Sequence, residues 1–373
     1  MNRENKAKVL IYMVGSLGDT IVAIPALRAV RRHFPETDLI LLQNVQADHI
    51  VRASQVIPEN LIDGYVNYAA QAGKFNKIAD FYRLRRELRR HEFKAVVYLI
   101  DSERPAISVL RDKLFFRSCG IPRLIGFRLF TKAELYPFDE QGRPAMTDNE
   151  AVRKLKRIEN DGVKYLPDDL SQPFLTFSQD ELDSIGKWLE DRRKKKDARL
   201  VAIAPGCKTE ANVWSLENFI QIGRHLIEQN CELLILGGKA EYDLGEKMIS
   251  ACGAGINAAG QFSVRESGAL ISHCDFYIGL DTGTTHLAAA VGTKCFALYG
   301  ERNNPGQWFP LGGGHTIVAH QVECAGCRFY VCPLPSHPCM NGISVKSVRQ
   351  SLQEFIEGKT VEAENPAVKV FSV

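Results

Sequence analysis

Short, wholly apolar runs alternate along the chain with stretches whose apolar positions recur every three or four residues. Apolar runs of about six residues without polar alternation suit parallel strands buried on both faces. In the first half they fall at Val9–Val14, Leu39–Leu42 and Ala95–Ile100, with helical periodicity over Thr20–His33 and Ile78–His91. The second half repeats the scheme. Strands are predicted at Leu200–Ala204, Glu232–Leu236, Phe276–Leu280 and Cys295–Tyr299, and helices at Leu216–Glu228, Ala240–Ala251, Val264–His273 and Thr285–Val291. Alternating β and α over this length implies parallel sheets wrapped by helices.

Periodicity lapses over Tyr165–Ser178, which carries two prolines. A boundary there divides the chain into domains of residues 1–175 and 176–345, followed by a C-terminal helix and tail over 346–373. The expected class is α/β, with two facing Rossmann-like domains. Ligands of such sheets sit at the carboxyl ends of the strands, so candidate chemistry is sought there. The run RRKKKD at Arg192–Asp197 reads as the solvated C-terminal end of a helix, where positive charge suits the dipole.

The length of 373 residues accommodates two cores, and 45% hydrophobic with 24% charged residues is a globular balance. A net charge of +3 gives no reason to expect a nucleic-acid partner. It leaves room for a local basic patch, and Arg83, Arg85, Arg86, Arg89 and Arg90 share one predicted helix. That helix can meet phosphates or the inner face of a membrane, or simply stay in solvent. The longest apolar runs fall far short of the ~20 residues that cross a bilayer. The polar start, leading straight into a strand, does not resemble a secretion signal, so a cytoplasmic location is expected.

Two strand ends carry candidate chemistry. In GSLGDTIVAIPALRAVRRHFP, Gly15 and Gly18 permit backbone conformations closed to other residues, and Asp19 stands where a helix begins. Asp19 reads either as a helix cap or as a general base; a cap accepts backbone hydrogen bonds, which weaken it as a base. In DTGTTHLAAAVGTKCFALYG, the strand ends at Asp281 and Thr282, Gly283, Thr284 and Thr285 open a helix. Unpaired amides and the positive end of the helix dipole make such a start an anion site suited to a diphosphate. His286, in the first turn, can add a hydrogen bond.

These two segments, with APGCKTEANVWSLENF, LLILGGKAE and CMNGISVKSV between and after them, resemble the heptosyltransferases, glycosyltransferase family 9. The two ends match specifically; the match from about Asn44 to Asp180 is weak. The resemblance implies the GT-B architecture and transfer of a heptose from ADP-heptose to the lipopolysaccharide core, with inversion at the anomeric carbon. It assigns Asp19 as base, Asp281, Thr282, Gly283 and His286 to the donor diphosphate, and Glu241 to the donor nucleoside. The family's lysine two residues before Trp214 is here Asn212, which leaves Lys208 as the nearby cation. A metal-independent, in-line displacement is expected, since fixed amides and a lysine can replace a cation. Peripheral contact with the inner membrane would bring the enzyme to its glycolipid acceptor.

Of ten cysteines, Cys324, Cys327, Cys332 and Cys339 cluster with the spacing C-x2-C-x4-C-x6-C. Structural zinc, reduced structural thiols, and disulfide or redox use all fit that spacing, with His320 and His337 as alternative ligands. Two further readings of function stay open: the same fold with another nucleotide-sugar donor, and a non-catalytic nucleotide-sugar binding or scaffold protein.

Overall fold

The computed structural model describes residues 6–45, 51–68, 78–359 and 368–373. Two compact units are built from them. The first comprises Met1–Leu135 and Asp148–Ser171, the second Tyr136–Thr147 and Gln172–Val373. The division at Ser171 lies just before residue 175, the sequence-based boundary. Residues 136–147 and the C-terminal tail cluster with the second unit.

The first unit runs β1 (Lys8–Tyr12), α1 (Leu17–Ile21), α2 (Ile24–His33), β2 (Asp38–Asn44), β3 (Gly64–Tyr68), α3 (Ile78–Arg90), β4 (Ala95–Tyr98), α4 (Ala106–Ser118), β5 (Arg123–Ile125), α5 (Lys132–Leu135) and α6 (Glu150–Glu159). All sheet pairings are parallel, in the order β3-β2-β1-β4-β5. Val9, Leu10 and Ile11 are fully buried, so β1 is covered on both faces, as an unalternated apolar run requires. Strand order reverses between β1 and β4, and ligands of doubly wound sheets bind outside such a switch point.

The single helix predicted over Thr20–His33 is two helices. α1 ends at Ile21, and α2 opens at Ile24 with Pro25 in its first turn. A proline has no N–H to donate to the preceding turn, so it begins a helix more readily than it continues one.

The second unit runs α7 (Gln179–Glu190), β6 (Arg199–Ile203), α8 (Leu216–Glu228), β7 (Cys231–Ile235), α9 (Tyr242–Cys252), β8 (Ile256–Asn257), α10 (Val264–Ser272), β9 (Phe276–Leu280), α11 (Gly283–Ala290), β10 (Cys295–Tyr299), β11 (Thr316–His320), α12 (Pro338–Asn341), α13 (Val345–Ile356) and β12 (Val368–Ser372). Its sheet has the order β12-β11-β10-β9-β6-β7-β8, parallel except for the β11–β12 pair. Here the switch lies between β6 and β9. Small side chains let α11 settle on the sheet, with Ala288, Ala289 and Ala290 all buried.

Arg192–Asp197 does not extend a helix. α7 ends at Glu190 with Asp191 as its C-cap, and the basic run forms the turns that follow, where Arg193 meets the Glu232 carboxylate at 3.1 Å. Among the described residues no helix is long and apolar enough to cross a membrane.

Candidate functional site

In the second unit, four loops leave the carboxyl ends of β6, β7, β9 and β10, and their side chains meet. Asn212, from the loop after β6, is buried and donates through Nδ2 to Asp281 Oδ2 at 3.0 Å. Cys207 of the same loop lies 3.7 Å from the Asp281 carbonyl oxygen. Glu241, after β7, accepts the Gly238 amide at 2.7 Å and lies flat on the backbone of two glycines. A Cβ on Gly206 would stand 2.5 Å from Glu241 Cγ, and one on Gly237 2.6 Å from Glu241 Cβ. Glycine at both places is what lets the glutamate lie across the β6 and β7 loops.

Thr282 is the N-cap of α11 and makes no side-chain cap. The amides of Gly283, Thr284 and Thr285, which have no partner within their own helix, therefore face outward at its positive end. The Thr285 hydroxyl donates to the Leu280 carbonyl and lies 3.1 Å from the Tyr277 hydroxyl, which locks the turn from strand to helix. His286 is buried, its ring edge-on to Trp308 at 6.2 Å.

Burial raises the Asp281 carboxyl to about 6; the Arg302 guanidinium and the Asn212 hydrogen bond pull it part of the way back. The carboxylate turns to Asn212, so it acts on a neighbour within the protein and leaves anion binding to the amides. Where a lysine would bring a full charge, a neutral amide occupies the buried position. Lys208 is exposed. Burial also pushes the Cys207 thiol up to about 11, which keeps it protonated and unreactive.

The cysteine-bearing stretch has a task that its spacing did not reveal. Tyr330 accepts the Ala211 amide at 2.9 Å on its carbonyl and donates its hydroxyl to the Lys208 carbonyl. The His337 ring lies 3.0 Å from the Ala211 carbonyl, and Arg302 donates to the carbonyls of Arg328 and Phe329. The stretch thus holds the loops after β6 and β10 in place. Cys324, Cys327, Cys332 and Cys339 are free thiols, with Cys339 buried in the core beside Trp214 and Met340. Among the described residues no group of three His, Cys, Asp or Glu side chains is arranged to hold a metal ion.

In the first unit the loop after β1 is a capping box. Ser16 is the N-cap of α1, and its amide and hydroxyl both donate to Asp19 Oδ2, at 2.7 and 2.9 Å. Gly15 has φ +151°, and a Cβ there would fall 2.3 Å from Asp19 Cβ and Cγ. Glycine at 15 makes the space that the carboxylate occupies. Gly18 needs no such freedom: it is an ordinary buried residue of α1 whose carbonyl accepts the Val22 amide. Sequence reasoning passed over Asp101, in the neighbouring loop after β4, although it stands directly after a predicted strand. Burial and the nearby Glu150 raise its carboxyl to about 6. That loop is pinned by α6: Lys154 donates to the Leu99 carbonyl, Arg157 to that of Ile100, and Glu150 accepts the Ser102 amide and hydroxyl.

Residues 81–337 match glycosyltransferase family 9 (heptosyltransferase). The lipooligosaccharide heptosyltransferase 2 of Campylobacter jejuni subsp. jejuni serotype O:6 is 24% identical over 359 residues, 93% of this chain and 99% of that protein. The glycosyl transferase family 9 structure from Veillonella parvula superposes with a TM-score of 0.71 at 17% identity, covering 96% of this chain and 99% of its own. E. coli heptosyltransferase WaaC with ADP-2-deoxy-2-fluoro heptose superposes with a TM-score of 0.60 at 14% identity, over 93% and 99%. With the family matched over more than half its length, this chain belongs to glycosyltransferase family 9 and is a glycosyltransferase.

Proposed function

We propose that this enzyme transfers a heptose from ADP-heptose to the core of a lipopolysaccharide or a related surface-glycan acceptor, with inversion. The observation that carries the reading is the uncapped N-terminus of α11 at the switch point of the second sheet, where Gly283, Thr284 and Thr285 offer amides to a diphosphate. Negative charge grows on the leaving diphosphate in the transition state. Fixed amides aimed at it contribute about 3 kcal/mol each without reorganising. Lys208 and Arg302, on neighbouring loops, add positive charge. Glu241 spans the β6 and β7 loops, where its free oxygen can accept the ribose hydroxyls of the nucleoside.

Asp19 is the base in this reading. Oδ2 is held by Ser16, which fixes the carboxylate, and Oδ1 is left to take the proton of the acceptor hydroxyl as it attacks the anomeric carbon. Asn212 favours one variation, the same chemistry on a different nucleotide sugar, because the buried amide supplies no charge to the phosphates. The test is thermal stabilisation by a panel of nucleotide sugars, followed by turnover. Stabilisation by ADP-heptose and not by uridine donors is the expected result; the reverse would remove the heptose assignment.

A further inference from the structure

α4 carries apolar side chains on both of its faces. Val109 and Phe116 are buried in the first unit's core, as the inner face requires. On the outer face Ile107 is 73% exposed, Leu110 50% and Leu114 61%. Beside them on α3 stands Tyr82, 59% exposed, and Phe81, whose ring packs 4.9 Å from that of Phe115. The two helices enclose an open groove of about 620 Å³ lined almost wholly by carbon. A helix with apolar residues on both its inner and its outer face is ordinarily covered on both, and a contiguous exposed patch of this kind marks an interaction surface.

Charge identifies the cover. α3 and α4 together hold eight basic side chains (Arg83, Arg85, Arg86, Arg89, Arg90, Arg111, Lys113 and Arg117) against Asp80, Glu87 and Asp112. That local excess of five exceeds the +3 of the whole chain. Asp112 is moreover buried and already bonded to Tyr98, Arg104 and Arg111. A second copy of this face would set arginine against arginine, so self-association is opposed. An apolar strip bordered by arginines and an exposed tyrosine suits the boundary between acyl chains and anionic headgroups. The patch is also well placed. α4 starts at the carboxyl edge of its sheet, the edge that bears the Gly15–Asp19 loop.

We infer that the outer face of α3 and α4 docks on an anionic lipid bilayer, with Ile107, Leu110 and Leu114 entering the headgroup boundary and the arginines meeting lipid phosphates. The inference rests on the reading of the acceptor as a glycolipid, since docking there would bring the membrane to Asp19.

The test is flotation of the full chain with vesicles of phosphatidylcholine containing phosphatidylglycerol, and with phosphatidylcholine alone. The chain should float with the anionic vesicles only, and less so as salt is raised. Partitioning should fall about five-fold for each of Arg83→Ala and Arg86→Ala. It should fall at least about ten-fold for Leu110→Asp with Leu114→Asp, both outward-facing changes that leave the circular dichroism and the turnover of a de-acylated acceptor intact. Absence of flotation, or equal flotation with neutral vesicles, overturns the inference. So does a wild-type dimer in sedimentation velocity that the double variant dissociates, which would assign the face to a second copy. Flotation needs no acceptor, so failure of the glycolipid reading shows separately, as docking without transfer.

Discussion

Asp281→Asn tests whether the enzyme carries a destabilising, partly buried carboxylate at the donor loops. The Asp281 carboxyl is raised from its ordinary 3.8 to about 6, chiefly by burial. Its charged form is therefore disfavoured in the folded protein. Below pH 3.8 the group is neutral in both folded and unfolded chains and costs nothing. Between 3.8 and about 6 the unfolded chain gives up its proton first, so stability is lost as pH rises through that window. At about 1.4 kcal/mol per pH unit the full cost above it is about 3 kcal/mol. Asparagine keeps the shape and does not titrate. For a unit of this size 1 kcal/mol moves Tm by about 2–4 °C, so the variant should melt roughly 6 to 12 °C above wild type at pH 8, and little above it near pH 4. Thermal unfolding of both proteins across that range measures the difference, in which all other titrations cancel. An advantage that does not grow with pH, or none at pH 8, would refute the account of Asp281.

Three further outcomes are expected. Asp19→Asn keeps an acceptor for Ser16, so the fold and donor stabilisation should be retained while kcat falls about 10²- to 10⁴-fold; a loss under ten-fold removes Asp19 as base. Gly15→Ala puts a methyl on the carbon atoms of Asp19 at a backbone angle only glycine adopts easily. It should cost about 1–3 kcal/mol in denaturant unfolding and lower transfer more than ten-fold, and wild-type activity would show that the carboxylate position is not needed. Tyr330→Phe removes one hydrogen bond to the Lys208 carbonyl and should raise the donor KM about five-fold with kcat little changed, read from steady-state kinetics.

The elements that were legible were those with one dominant signal. β9, β10 and α8 have the predicted bounds, because an unalternated apolar run or a clean helical face needs no help from distant residues. β3, β5 and β8 were not anticipated. They are short or mix polar with apolar positions, and sheet pairing completes them: Gly64–Tyr68 is a strand by virtue of its register on β2. The site divides in the same way. The amides of Gly283 to Thr285 follow from local sequence. The partner of Asp281 is 69 residues away, and the loops are tied by Tyr330, His337 and Arg302 through backbone carbonyls. Carbonyls are offered by every residue, so no pattern of side chains announces such ties. Asp101 lies between these cases: its position at a strand end is visible in the sequence, but its character comes from burial and from Glu150, which only the fold brings to it.

The excursion of residues 136–147 into the second unit bears on how the molecule can be made. Asn304, next to the donor loops, gives its side-chain amide to the carbonyls of Pro137 and Ala145, and the Thr147 amide reaches the Pro305 carbonyl. A fragment starting at Gln172 would lack all three bonds. On the ribosome, the first unit can be complete only once Ser171 has emerged, and the 136–147 segment can make these bonds only once Asn304 has been synthesised. Exchange of donor halves between relatives therefore has to carry this segment along with the half it serves.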